Sequence, residues 1–289
     1  MRAIHNFVWM LAGVACMAPP CLATNASVST PHILDLAQRE VSAYLAQLAD
    51  LHCTEVVTQE KLAPNGHVED TEHATYDYLL MMSGTADDLR LNESRVEQPS
   101  NHHKAISIPM LVSNGMSTML LVFHPYYRDS FQFDVGAAEM VNGKETIPVH
   151  FAHLAGRRTP AALALRGREY PLELQGTAWL DEQSGEVVKM DASLLHDMSD
   201  VGLSSLHIEV DYRSSRPNPE APAIALPELA TVDVTTPRQH WRNMHRFESY
   251  KSFSTAIEQG PDVKIHAESQ VPDDSKGTES SAAPRKEKP

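Results

Sequence analysis

His207, Glu209 and Asp211 fall at alternate positions of one short segment. On an extended strand that spacing puts all three on one face. His150 and Glu173 hold comparable polar positions in two other strand-like segments. An imidazole among carboxylates is the donor set of a metal site or of general acid–base chemistry, as in a metal-assisted hydrolase. The competing reading is the solvated face of an antiparallel sheet, which takes a polar residue at every second position. One alternating strand also spreads its side chains too far to share one ion unless neighbouring strands converge.

The remaining chemistry-bearing residues are scattered. His150 and His153 are three apart, a spacing that joins ligands on a helix and separates them on a strand. His102 and His103 fall in a polar stretch, and His240 and His245 flank Trp241 and Met244. There is no His-Glu-x-x-His, no Gly-x-Ser-x-Gly, no phosphate loop and no Cys–His pairing. No cofactor is implied. Arg157, Arg158, Arg166 and Arg168 form a basic cluster suited to an acidic partner or a lipid head group, or to a solvated loop. Met81, Met82, Met110, Met116, Met119, Met140 and Met190, with Trp179, supply adaptable apolar surface, either ordinary core or the wall of a ligand cavity.

These residues must be positioned mostly by strands. Thr30-Pro31 is a helix start, a hydroxyl cap followed by Pro at the first helical position. Leu34, Ala37, Val41, Tyr44, Leu45 and Leu48 then recur at three and four, which predicts an amphipathic helix from about Pro31 to Ala49. Strand patterns follow over 54–62, 75–82, 88–97, 131–135 and 139–151, with turn signals at Pro64-Asn65-Gly66 and Asn142-Gly143. Met116–Phe123 reads equally as a short helix or a buried strand.

In the hairpin Leu172–Met190, Leu172, Leu174, Ala178 and Leu180 share one face. Asp181 can accept from loop N–H groups and Gly185 can take positive φ. If Leu180 pairs with Val187, Trp179 lies opposite Val188 and Thr177 opposite Met190, a second apolar patch on the reverse face. Leu206, Ile208, Val210 and Tyr212 alternate with polar residues, and 226–235 and 242–253 read as final strands, although Phe247, Tyr250 and Phe253 also fit a helical spacing of three. The sum is one N-terminal helix and about nine or ten antiparallel strands, with no βαβ rhythm. The expected fold class is α+β, a curved antiparallel β half-barrel wrapped around the N-terminal α-helix.

The ends bound the compartment. Met1-Arg2, a short apolar run over 7–18 and small residues at Ala23 and Ala26 have the layout of a secretory signal over 1–26, cleaved after one of those two alanines. The run is shorter than the ~20 residues of a membrane span. Of three cysteines, Cys16 and Cys21 fall in that segment, leaving Cys53 as a small buried hydrophobe with no disulfide or Cys-based metal site. A formal charge of -14, 38 acidic against 24 basic residues, repels nucleic acid and anionic membrane surfaces. Residues 259–289 are rich in Pro, Ser and charge, a composition of a disordered tail. Residues 27–258 remain as a single domain.

Gly176, Trp179, Leu180, Asp181, Ser184, Gly185, Val187 and Lys189 form the pattern Gly-x-x-Trp-Leu-Asp-x-x-Ser-Gly-x-Val-x-Lys. With a helix first and a meander around it, this resembles the periplasmic lipoprotein-carrier (LolA-like) superfamily and its secreted relatives. The resemblance covers about 31–253 and is architectural over most of that length. It implies an unclosed half-barrel around helices with room for acyl chains. The chain departs from the carriers in its length, its larger loops and its tail.

The expected function is a periplasmic or secreted, non-enzymatic protein that holds a lipid or lipoprotein acyl chain between helix and sheet. Such a cavity would be lined by Leu34, Val41, Leu45 and Leu48 from the helix and by Tyr78, Leu80, Met82, Phe131, Phe133 and Phe151 from the first strands. Leu174, Leu180, Ile208 and Val210 would line it from the later ones. An envelope interaction protein with a filled core is the alternative, and a metal-assisted hydrolase on the His207 face the third reading.

Overall fold

The computed structural model describes residues 30–48, 51–83, 90–98, 115–165 and 168–252. The chain divides into Met1–Phe253 and Ser254–Pro289, and every described residue belongs to the first unit. The expected signal segment and tail, and nearly all of the polar loop with His102 and His103, lie outside the described residues.

Helix α1, Thr30–Leu48, occurs where the apolar spacing predicts it. Strands β1 (Leu51–Leu62), β2 (Val68–Ser83) and β3 (Arg90–Glu97) follow. A 3-10 helix, Thr118–Phe123, and a short helix α2, Pro125–Arg128, come next. The strands then run β4 (Phe131–Val135), β5 (Glu139–Val141), β6 (Lys144–His153), β7 (Ala162–Leu165), β8 (Arg168–Pro171), β9 (Leu174–Asp181), β10 (Val187–Leu194), β11 (Ser205–Ser215), β12 (Ile224–Thr235) and β13 (His240–Ser252).

Eleven of these strands form one antiparallel sheet in the order β3-β2-β1-β13-β12-β11-β10-β9-β6-β4, with β5 also on β6. The first strand pairs with the last, so the two meanders join through β1 and β13. The sheet is not closed: β3 and β4 end it among the described residues. The thirteen described strands exceed the nine or ten expected: the separate β7–β8 hairpin is too short to leave a periodic pattern, and β5 is the three-residue first arm of the Asn142-Gly143 hairpin. The ambiguous segment 116–123 is the 3-10 helix, with Met119–Phe123 buried in succession. At the Asn142-Gly143 turn both residues have positive φ, 50° and 77°, the conformation that a two-residue hairpin of this type requires.

One sequence expectation needs correction, and a β-bulge is the reason. Leu180 does pair with Val187, but the register then shifts, so Trp179 lies opposite Lys189 and Thr177 opposite Asp191. An extra residue in β10 returns Met190 to the core face opposite Ala178. The reverse-face patch of Trp179, Val188, Thr177 and Met190 therefore does not form. Lys189 lies over the Trp179 ring instead, and Trp179 Nε1 donates to Glu139 Oε1.

The helical spacing of Phe247 and Tyr250 comes from a second bulge. Thr54 opposes Glu248 and His52 opposes Lys251, so β13 carries one residue more than β1 there. Ser249 takes φ 58°, and the side chains on either side of it, Phe247 and Tyr250, both pack on the core.

Candidate functional site: an apolar interior with a buried charged flank

One contiguous core cluster joins α1 to the sheet face it covers. From the helix it takes Leu34, Val41, Leu45 and Leu48, together with Ile33, Ala37 and Tyr44. From the sheet it takes Tyr78, Leu80, Phe131, Phe151, Leu174, Leu180, Ile208 and Val210. Phe133 is partly buried and packs against the cluster. The structure thus brings together all the expected lining residues except Met82, whose side chain lies outside the described set.

A 19-residue helix is about 28 Å long and ~10 Å wide, whereas ten strands at ~4.8 Å span about 48 Å. One helix covers only a strip of that face. The segment 116–123 supplies further cover and is held by tyrosine hydroxyls. Tyr212 donates to Met116 O at 2.8 Å and Tyr44 to Ser117 O at 3.3 Å. The Tyr78 hydroxyl meets Ser117 Oγ at 3.3 Å. Burial pushes all three phenols up, so they remain neutral donors.

The β1–β3 flank of the same face is charged. Glu55 is fully buried and accepts from Arg95 Nη2 at 2.8 Å, with Arg95 Nε on its other oxygen and His245 Nδ1 at 2.8 Å. Burial alone would raise the Glu55 carboxyl, but the bonds from His245 and Arg95 outweigh it and hold it below its ordinary range. Glu93 is driven the other way. Burial pushes it up, and Arg95, with its nearest guanidinium nitrogen 3.6 Å away, only partly offsets that. Glu93 Oε1 accepts the Gly115 N–H at 2.9 Å. Beside this group Gln59 Nε2 donates to Asn243 Oδ1 at 2.7 Å.

Sequence reasoning missed this flank. Cys53, Glu55, Val57 and Gln59 face inward, while Thr54, Val56, Thr58 and Glu60 face outward. Two of the four inward residues and three of the four outward ones are polar, a difference too small to tell which set is inside. Cys53 is buried, and burial pushes its thiol up to about 12.

The side chains of the alternative acid–base face pair separately. His207 Nε2 pairs with Asp191 at 2.9 Å across to β10, and Glu209 with Lys189 at 3.1 Å. His150 Nδ1 meets Thr177 Oγ1 at 2.8 Å. Among the described residues no group of three or more His, Cys, Asp or Glu could hold a metal ion. His153 lies on the opposite side of β6 from His150, as strand geometry requires; it is buried, and its Nε2 meets Arg158 O at 3.0 Å. In the basic cluster, Arg158 stacks over Tyr126 at 4.2 Å, and Arg166 lies outside the described residues. No described helix is long and apolar enough to cross a membrane.

No family model matches the sequence, and no curated protein does. Solved structures do resemble it. A DUF1329 family protein from Desulfovibrio piger is 10% identical at TM-score 0.42, covering 78% of this chain and 93% of its own. A domain from Vibrio parahaemolyticus, described as an outer membrane lipoprotein-sorting protein, is 11% identical at TM-score 0.38, covering 78% of this chain and 94% of its own. The LolA superfamily protein NE2245 from Nitrosomonas europaea is 11% identical at TM-score 0.35, again covering 78% and 94%.

Proposed function

We propose that this chain is a non-enzymatic binding protein of the periplasm or the cell exterior. It holds the acyl chain of a lipid or lipoprotein between α1 and the sheet. In this reading residues 1–26 are the secretion signal, 27–258 the binding domain and 259–289 a solvated tail. The sheet curls as a half-barrel around the helix.

The observation that carries the reading is the single apolar cluster shared by the α1 stripe and the inner face of an unclosed ten-strand path. That face is wider than one helix covers, so an acyl chain gains the same burial as the protein's own 3-10 segment, ~25 cal/mol per Å² of apolar area. Mass spectrometry of organic extracts from natively purified protein tests it. Acyl chains recovered in near-stoichiometric amount are expected, and protein free of lipid after expression in the envelope overturns the reading.

A second reading, an envelope scaffold with a filled core, is favoured by a different observation. Of the described lining residues all but Phe133, which is partly buried, are buried, so the face is already covered by protein. An affinity-purified envelope partner with no bound lipid would select it.

A further inference from the structure

We infer that the fork between β12 and β13 is a binding site for the phosphate group of an anionic amphiphile. The inference rests on the acyl-chain reading for its amphiphile and on separate residues for its phosphate. The β12–β13 ladder runs from Thr235↔His240 to Leu229↔Arg246 and stops there. Two bulges fall at that point: Glu228 is the extra residue of β12 against β11, and β13 bulges at Ser249 against β1.

Beyond it the strands part around a cavity of about 440 Å³, within the range of small-molecule sites. Ser249 holds φ 58° at its wall. A non-glycine residue in that region costs about 1 kcal/mol, and such strain gathers at functional sites. Unlike Asn142, Ser249 is in no two-residue turn.

Three arginines line the fork: Arg213, Arg216 and Arg246. Glu228 pairs with Arg213, and Glu248 with Arg246 at 3.0 Å. Arg216 has no ion pair among the described residues. The lining therefore carries one net positive charge in a chain of net charge -14. A guanidinium bound to one carboxylate keeps further N–H donors, and its planar fork matches phosphate oxygens. The apolar lining continues the site. Leu229 is 45% exposed, and at the inner end Phe247 belongs to the core cluster while Tyr250 packs against it. A phosphate on the arginines thus places an attached chain beside the apolar interior.

The test uses the full chain and titration calorimetry with three probes: inorganic phosphate, dihexanoyl phosphatidic acid and dihexanoyl phosphatidylcholine. The phosphatidic acid should bind most tightly, inorganic phosphate more weakly, and the zwitterionic lipid weakest. Arg216→Ala and Arg246→Ala should each weaken phosphatidic acid about tenfold, the usual size for a charge-assisted hydrogen bond. Their melting should stay unchanged, since both side chains are exposed. Glu228→Gln should tighten binding by freeing Arg213. Equal binding of inorganic phosphate and phosphatidic acid would identify a free anion as ligand and overturn the amphiphile. Arginine variants that bind all probes like the parent, or a parent that binds none at millimolar concentration, overturn the site. If envelope-purified protein carries acyl chains and the arginine variants still bind like the parent, the fork fails and the acyl-chain reading stands. Phosphate binding by protein free of acyl chains leaves the reverse.

Discussion

Gly185, in the loop between β9 and β10, packs directly on Leu36 of α1: a Cβ at Gly185 would lie 2.4 Å from Leu36 Cβ and 2.7 Å from the Ala37 backbone nitrogen. The hairpin tip is thereby the seat of the helix. The loop is shaped for it by Asp181, whose Oδ1 accepts from the Gln183 and Ser184 N–H groups and from the Ser184 hydroxyl. Partial burial works against the charged form of Asp181, but these bonds outweigh it and hold the carboxyl below its ordinary range.

Gly185→Ala should lower stability by about 2–4 kcal/mol, through positive φ and overpacking together. Leu36→Ala in the same chain should recover none of the loss, because alanine keeps the Leu36 Cβ and the helix backbone stays in place. Urea unfolding of the two variants and their double measures both terms, and an Ala variant as stable as the parent would show that helix and hairpin are not in contact.

Glu55 makes the fold sensitive to acid. Its folded pKa is depressed, so its contribution is present above the ordinary 4.5 and is lost as pH falls through the folded value. Stability should fall below pH 4.5, and Glu55→Gln should flatten that part of the profile while lowering stability at neutral pH, since Arg95 and His245 lose a charged acceptor. Denaturant melts between pH 3 and 7 give the comparison.

Glu93 should show the opposite slope. Its folded pKa is raised, so the folded chain keeps a proton that the unfolded chain releases, and stability declines as pH rises above 4.5. Glu93→Gln retains an acceptor for Gly115 and removes the decline. In the same melts it should gain on the parent at pH 7 relative to pH 4.5; an unchanged difference would place the Glu93 carboxyl in water.

Tyr212→Phe leaves Met116 O without its donor in a buried setting and should cost about 1–3 kcal/mol. If the 116–123 segment is the cover that an acyl chain displaces, the same variant should take up a fluorescent fatty acid faster than the parent while Tyr44→Phe, whose bond is longer, has a smaller effect. Stopped-flow uptake by delipidated protein reads the order.

Much of the architecture was legible along the chain. Local periodicity placed α1, the Asn142-Gly143 hairpin and the inward faces of β9 and β11, because each depends on residues a few positions apart. The apolar set of the candidate site followed from the same alternation. What tertiary structure decided was whatever depends on a partner distant in sequence. The pairing of β1 with β13 sets which face of β1 is inside, and so buries Glu55 beside His245, 190 residues away. Bulges at Val187–Lys189, Glu228 and Ser249 each add one residue to one strand only, a difference that exists between two strands and in neither alone. Those bulges removed an expected patch at Trp179 and opened the fork at Arg246.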